Sequence, residues 1–228
     1  MMNEVKKYII ASEKKWHDNT FIQLQKCIHA EWIRINISTD FTLGKIDEIN
    51  PKYIFFLHWS HLIPSSIYEK YDCIVFHMTD LPYGRGGSPL QNLIVRGHKE
   101  TKLSAIKVQK GIDTGDIYLK KELPLYGTAE EIFMRAGQLM IEMIKEIIEK
   151  NVIPIPQDGE PLLFKRRKPE DGDIWKLGSL EEVYNYIRML DCEGYPPAFI
   201  ENENFRFEFT RSSLKSNSII SDVRIIKK

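Results

Sequence analysis

The sequence has few of the features that mark secreted, metal-binding or membrane proteins. Its three cysteines, Cys27, Cys73 and Cys192, are scattered and form no CxxC pair. Such a set is typical of reduced thiols and does not favour a disulfide framework or a zinc site. The apolar run near the N-terminus is too short for a signal-peptide core, and no stretch reaches the roughly 18 apolar residues of a membrane span. We therefore expect a cytoplasmic protein without a membrane partner.

An excess of either charge is also lacking. Lys plus Arg equals Asp plus Glu at 32 each, which makes the formal net charge zero. A protein that binds tRNA usually carries a basic excess, so this balance predicts no nucleic-acid partner, although a total does not exclude a local basic patch. The hydrophobic fraction of 43% and the charged fraction of 28% are those of an ordinary globular protein.

Short apolar runs alternate with amphipathic stretches through the first part of the chain. The runs are rich in β-branched and aromatic residues, which predicts strands, and the stretches between them predict helices. The predicted strands are 8–10, 32–35, 53–57 and 73–76, and the predicted helices are 18–29, 41–49 and 65–71, with Asp18 and Asp40 as caps of the first two. This alternation predicts an α/β fold with a mainly parallel sheet and helices on both faces. Ligands of such sheets bind beyond the carboxyl ends of the strands, here at 58–64 and 77–87.

The second part of the chain differs from the first in composition and in its predicted elements. Further strands are predicted at 103–108 and 117–119, and a capping box at Thr128 and Glu131 precedes a long helix that reaches about residue 149. Prolines and glycines are frequent from 151 onward, where a helix at 179–190 and strands at 205–209 and 219–226 are predicted. We predict a catalytic core at 1–150 and a small α+β region at 151–228.

Two residues could carry acid–base chemistry. His77 ends a predicted buried strand, so the sheet would hold it while its ring faces the crevice. Asp113 lies in a loop pinned by Gly111 and Gly115, and a carboxylate near an imidazole fixes its orientation. Each residue also has an ordinary alternative, namely a core histidine bonded to a carbonyl and an Asp-Thr-Gly turn between strands.

Together the two stretches resemble a known family. The pattern H-x-x-x-L-P-x-x-R-G, which begins at His77, and the pattern G-I-D-T-G-D-I, which begins at Gly111, are similar to the formyltransferases that use 10-formyltetrahydrofolate. The resemblance implies a Rossmann-like core and a folate formyl donor. It also implies that His77 acts on the amine and on the developing oxyanion, while Asp113 orients His77.

One position departs from the family pattern. The family has an Asn two residues before the His, and this chain has Val75, which cannot donate a hydrogen bond to the formyl oxygen. Loss of an oxyanion donor typically costs about 10²–10³ in rate, so we expect a replacement donor. The candidates are His58, His61, Thr79 and Asn92.

The resemblance also implies two binding regions. The segment 56–64 matches the family's pterin-binding loop, and 107–112 would form the opposite wall. The implied donor-binding residues are Leu57, His58, Trp59, His61, Ile63, Leu81, Gln109, Gly111 and Ile112. The implied acceptor-binding residues are Thr79, Arg85, Gly86, Gly87 and Ser88. The glycines here either cradle a phosphate or shape the acceptor side, and they lack the spacing of the common phosphate loops. No metal is expected.

The acceptor is inferred from the stretch 76–89, which looks most like the sugar-nucleotide N-formyltransferases of pseudaminic-acid pathways. This likeness implies transfer to a UDP-linked 4-amino-4,6-dideoxy sugar, in glycan biosynthesis, by an enzyme that could form a homodimer. The alternatives are formylation of another amine, such as an aminoacyl group or methionyl-tRNA, and a non-catalytic folate-binding module suggested by Val75.

Overall fold

The computed structural model describes residues 5–228. Residues 1–4 lie outside that range. They belong to the predicted core and to the N-terminal apolar run that is too short for a signal peptide. Within the described part of the chain, no helix is long and apolar enough to cross a membrane.

Eleven strands and six α-helices are assigned in the described chain. The strands are β1 Lys7–Ala11, β2 Glu31–Ile35, β3 Tyr53–Phe56, β4 Cys73–His77, β5 Tyr83–Gly86, β6 Glu100–Lys107, β7 Ile117–Pro124, β8 Leu162–Phe164, β9 Ala198–Glu201, β10 Phe205–Leu214 and β11 Ile219–Lys227. The helices are α1 His17–Cys27, α2 Leu43–Ile49, α3 Ser65–Tyr68, α4 Pro89–Val95, α5 Ala129–Lys150 and α6 Leu180–Leu190.

The chain divides into two compact units whose segments alternate along the sequence. The first unit comprises the chain up to Arg85, Lys102–Glu122 and Met134–Leu162, and the second comprises Gly86–Thr101, Leu123–Phe133 and Leu163–Lys228. The predicted boundary at residue 150, between a catalytic core and a small C-terminal region, stays a prediction.

The principal sheet has six strands in the order β2-β1-β3-β4-β6-β7. Strands β1 to β4 pair in parallel, and β6 pairs antiparallel with β4. Strands β1, β3 and β4 are almost entirely buried, as expected when a parallel strand has neighbours at both edges and cover on both faces. The predicted α/β fold with a mainly parallel sheet is therefore confirmed, and the four predicted strands of its parallel part are present.

The predicted helix caps in this part of the chain are wrong. Asp18 lies inside the first turn of α1, because that helix begins one residue earlier. Asp40 forms an ion pair with Lys45 at 3.1 Å, and the cap of α2 is Thr42, whose side chain accepts a hydrogen bond from the Lys45 amide. A hydroxyl directly before the helix reaches the free amides of the first turn better than a carboxylate two residues further away.

The second unit contains a three-stranded sheet in the order β11-β10-β9, with α6 packed against β10 and α4. The predicted capping box is present, with Thr128 and Glu131 exchanging hydrogen bonds of 2.8 and 3.3 Å. The buried Arg188 on α6 donates to the carbonyls of Leu125 and Gly127 at 2.7 and 2.9 Å. Burial lowers the pKa of this guanidinium. Its two carbonyl partners satisfy the donors that would otherwise lack water.

Candidate active site

The candidate site lies at the carboxyl end of β4, where the strand order places β3 on one side and β6 on the other. His77 is the last residue of β4 and is 7% exposed. Its Nε2 lies 2.8 Å from the Gly84 carbonyl oxygen, and its Nδ1 lies 3.4 Å from Asp113 Oδ2. The structure therefore brings together the two predicted catalytic residues.

The environment of His77 determines what its ring can do. The Gly84 carbonyl and the Asp113 carboxylate are both hydrogen-bond acceptors, so a ring that carries protons on both nitrogens satisfies both of them. Loss of one proton leaves one acceptor unmatched. The two acceptors therefore fix the position and the orientation of the ring, which acid–base chemistry at a bound amine requires.

Val75 lies on the same face of β4 as His77, because side chains two residues apart in a strand share a face. It is half-buried and packs against the apolar cluster between the sheet and α2, as Trp59, Ile63 and Val108 do. Apolar side chains therefore reach one face of the sheet from three places: the segment after β3, strand β4 itself and the segment after β6.

Part of the predicted donor-binding set fits a pterin ring. Trp59 and Ile63 supply apolar surface against the cluster, and the buried Trp59 Nε1 has no hydrogen-bond partner among residues 5–228. A buried donor without a partner is costly, and a polar edge of a heteroaromatic ligand would satisfy it. Leu57 and Leu81 are fully buried and can act only as support.

The predicted opposite wall lies on the loop after β6. Ile112 is 65% exposed, and Gly111 and Gln109 are also exposed, with the Gln109 amide donating to the Thr114 carbonyl at 3.0 Å. Large exposed apolar side chains are common, so Ile112 alone does not define a site.

Sequence reasoning named His58 in the pterin-binding segment but missed its buried partner, His17. His58 Nδ1 lies 2.7 Å from Nε2 of the buried His17, and His58 Nε2 lies 3.3 Å from Met78 Sδ. The rings stack with centroids 4.9 Å apart, and Thr20 contacts the other nitrogen of His17 at 3.2 Å. Burial lowers the pKa of His17 to about 2 and that of His58 to about 3, so both rings are neutral near pH 7. His17 gave no signal because an isolated histidine in a helical segment has no partner visible in the sequence.

The four proposed replacements for the family Asn have different surroundings. His58 faces His17 and Met78, and His61 Nε2 lies 2.8 Å from Glu13 Oε2.

Of the other two, Asn92 belongs to the second unit, where it donates to the carbonyls of Gly87 and Lys165, both at 2.9 Å. Thr79 is fully buried, and its hydroxyl lies 3.4 Å from the Gly84 carbonyl that His77 also contacts. Among the four candidates, Thr79 is the one that shares a partner with His77.

The glycine-rich turn on the acceptor side is tightly packed. The Gly87 amide donates to the Phe164 carbonyl at 3.2 Å, and a Cβ on Gly86 would lie 2.5 Å from the same oxygen. These positions need glycine because another chain segment approaches so closely. The Gly87 amide already has a partner, which favours the alternative that the turn shapes its surroundings over the alternative that it cradles a phosphate.

The remaining predicted acceptor-binding residues also have partners within the protein. Ser88 Oγ accepts a hydrogen bond from the Arg167 amide at 3.0 Å. The Arg85 guanidinium donates to Gln157 Oε1 at 2.8 and 3.1 Å. Gln157 was not predicted as a site residue, yet its amide nitrogen contacts the carbonyl of Asp113.

Comparisons with known proteins place this site in a family. A family model described as Formyl transferase matches residues 14–139, more than half of the chain, and one described as Methionyl-tRNA formyltransferase, C-terminal domain, matches residues 169–226. The chain belongs to the formyl transferase family, whose formyl donor is 10-formyltetrahydrofolate.

Individual relatives indicate which members of this family the chain is similar to. The solved structure of Methionyl-tRNA formyltransferase from Clostridium thermocellum is 51% identical with a TM-score of 0.95, over 98% of this chain and 100% of that chain. Methionyl-tRNA formyltransferase of Clostridium botulinum (strain Alaska E43 / Type E3) is 27% identical over 75% of this chain and 58% of that protein. That of Thermodesulfovibrio yellowstonii is 29% identical over 64% and 50%. The chain spans about half the length of the curated relatives it matches.

More distant structures share the fold alone. HypX from Aquifex aeolicus in complex with tetrahydrofolic acid is 15% identical with a TM-score of 0.76, over 92% of this chain and 38% of that chain. A sugar N-formyltransferase from Shewanella sp FDAARGOS_354 is 16% identical with a TM-score of 0.69, over 93% and 99%.

These findings correct the expected acceptor. The prediction of a nucleotide-linked amino sugar and of glycan biosynthesis is wrong, because the relatives with substantial identity are named for methionyl-tRNA. The expectation of no nucleic-acid partner is overturned by the same relatives. The stretch 76–89 misled because it forms the end of β4, β5 and the start of α4, which are parts of the scaffold. The charge total misled because it averages over the whole surface.

Proposed function

We propose that this chain, acting in the cytoplasm, transfers the formyl group of 10-formyltetrahydrofolate to the amino group of methionyl-tRNA. The observation that carries the proposal is the His77–Asp113 pair at the end of β4, 3.4 Å apart and largely shielded from water. The 51% identity to a structure named for this activity, over nearly the whole of both chains, supports the acceptor.

The roles of the two residues follow from their geometry. When bound, the donor supplies a formyl carbon that an amine can attack. Asp113 holds the proton on Nδ1, so Nε2 is the nitrogen that can take up the proton that the amine loses, in exchange for its contact with the Gly84 carbonyl. Asp113 fixes the Nδ1 side of the ring and stabilises its positive charge.

The donor would lie against Trp59 and Ile63, with Gly111 and Ile112 on the facing loop. Trp59 and Ile63 present an apolar surface, and Trp59 Nε1, which has no partner within residues 5–228, offers one directed hydrogen bond. A few placed polar groups in an otherwise apolar setting are typical of sites for aromatic cofactors.

Binding of a tRNA acceptor requires a local concentration of positive charge on the protein surface. The second unit provides a run of four consecutive basic residues at 165–168, of which Lys165, Arg166 and Lys168 are exposed. Arg167 is held over the ring of Tyr186, with its guanidinium 5.2 Å from the ring centroid. Contacts with tRNA phosphates depend on the local density of cationic side chains and not on the net charge of the whole chain.

The proposal is tested by incubating the purified chain with 10-formyltetrahydrofolate and methionyl-tRNA and resolving formylated from unformylated tRNA on an acid gel. Free methionine and uncharged tRNA serve as controls. We expect product with charged tRNA alone. Equal formylation of free methionine would contradict the acceptor, and tight folate binding without transfer would indicate a non-catalytic binding module.

A further inference from the structure

The side chain of Gln157 lies against the backbone of the loop that carries Asp113. Its Nε2 donates to the Asp113 carbonyl and to the Gly115 carbonyl, both at 2.8 Å. Its Oε1 accepts two hydrogen bonds from Arg85, from Nε at 3.1 Å and from an Nη at 2.8 Å. Both hydrogens of the amide and both lone pairs of its oxygen are thus engaged.

Only a primary amide can make this set of contacts. A carboxylate in the same place would turn an oxygen towards two carbonyl oxygens, and an apolar side chain would leave Arg85 and both carbonyls without a partner. The guanidinium of Arg85 fixes which end of the amide is oxygen, because it can only donate. The orientation of Gln157 is therefore determined from both sides.

The loop held by Gln157 has an unfavourable backbone. Asp113 adopts a φ of +53°, which is uncommon for a residue with a side chain. Gly115 lies so close to Lys107 that a Cβ at this position would overlap the Lys107 carbonyl oxygen. A conformation of this kind persists only when surrounding contacts determine it, and the two hydrogen bonds from Gln157 join the residues on either side of Thr114.

We propose that Gln157 is a positioning residue: together with Arg85 it holds the 113–115 backbone in the conformation that directs the Asp113 carboxylate at His77. The inference rests on the proposed function and assigns Arg85 to the loop and not to the acceptor. Gln157 touches no reacting atom, and its whole effect on the reaction passes through Asp113.

Two variants and a matched control test this role. Gln157→Met keeps the length of the side chain but removes all four hydrogen bonds, and Gln157→Glu keeps the shape but removes both donors. The exposed Gln138 on α5 provides the control Gln138→Glu. We expect kcat to fall about 10–10²-fold in both Gln157 variants, since a displacement of about 1 Å in a catalytic group can cost 10²-fold. KM for methionyl-tRNA should change less than about threefold.

The pathway through Asp113 is tested by combining Gln157→Met with Asp113→Asn. If Gln157 acts only through that carboxylate, its effect on the residual rate should nearly vanish in the double variant. An undiminished effect in the double variant would overturn the proposal.

A measurement without turnover separates this proposal from the proposed function. Amide hydrogen exchange in a peptide that covers residues 108–118 should become at least about tenfold faster in Gln157→Met, while peptides from β1 and β3 stay as protected as in the parent. Unchanged exchange in that loop, or faster exchange throughout the core, would refute a positioning role. Faster exchange of the loop alone would support it even if methionyl-tRNA proved not to be the acceptor.

Discussion

His77 and Asp113 contribute different properties to the candidate site, and substitution should separate them. His77→Asn removes the group that holds the proton, and Asp113→Asn keeps the shape of the loop but removes the charge beside the ring. We expect each to lower kcat about 10²–10⁴-fold with little change in folate binding, because neither residue lies in the apolar donor wall.

The measurement for this prediction is single-turnover formylation together with folate binding followed by tryptophan fluorescence. The control is Asp158→Asn, which alters an exposed carboxylate elsewhere in the same unit. A rate within a few-fold of the parent for either site variant would remove that residue from the mechanism.

Val75 allows a second prediction at the scale of single residues. Val75→Asn places an amide on the face of β4 that packs against the apolar cluster, so we expect a loss of about 1–3 kcal/mol in the free energy of unfolding. The formylation rate should not rise if another group already serves the formyl oxygen. Urea unfolding and kcat test the two parts, with Val75→Thr as the variant of similar shape. A gain of tenfold or more in kcat would show that the site lacks such a donor.

At the scale of elements, the His17–His58 pair joins α1 to the segment after β3. Folding lowers both pKa values from about 6.5, to about 2 and about 3. The unfolded chain therefore binds protons between these limits that the folded chain excludes. The resulting stability is fully present above pH 6.5 and is lost as the pH falls towards the folded pKa values.

This linkage predicts a pH-dependent stability that depends on His17. The free energy of unfolding should decrease from pH 7 to pH 5, by up to about 1.4 kcal/mol per pH unit for each excluded proton. His17→Phe should lower stability at pH 7, because His58 loses its partner, and should also flatten the pH dependence. Urea unfolding at several pH values measures both effects, with His29→Phe, at an exposed position, as the control. Parallel curves for His17→Phe and the parent would contradict this account.

The elements differ in how far their sequence specifies them. β1 to β4 could be predicted because a buried parallel strand requires a short continuous apolar run, and such runs are visible at Tyr53–Phe56 and Cys73–His77. β5 and α4 were not predicted, because Gly84, Gly86 and Pro89 read as a turn. The strand at β5 depends on pairing with β8, more than seventy residues away in the sequence, and no local pattern contains that information.

The candidate site was predictable in part for the same reason. His77 and Asp113 lie at strand ends, where the topology of a parallel sheet brings side chains together, so their proximity could be inferred. Arg85 was assigned to the acceptor because the family resemblance implies that the glycine-rich turn around it shapes the acceptor side. Its partner Gln157 lies far away in the sequence, and hydrogen bonds between distant side chains leave no periodic signal.

At the scale of the whole molecule, the proposed tRNA binding depends on where the positive charge lies on the surface. If the basic run 165–168 contacts phosphates, Lys165→Ala and Lys168→Ala should each weaken tRNA binding and reduce the slope of log K against log salt by roughly one. The affinity for 10-formyltetrahydrofolate should stay unchanged, because the proposed donor wall lies in the first unit and not in the unit that carries the basic run.

Filter binding at several salt concentrations measures this slope, with Lys215→Ala as the control at an exposed position of the same unit. An unchanged slope in both variants would mean that the run does not touch the nucleic acid.

The contact between Gln157 and the 113–115 backbone also bears on recombination between relatives. A chimera with a crossover between residues 116 and 156 takes the loop from one parent and the side chain that fits it from another. Such hybrids should retain the sheet and yet lose activity more often than hybrids with crossovers outside this interval. Shuffling libraries built on this scaffold would therefore do best to inherit the two segments as one block.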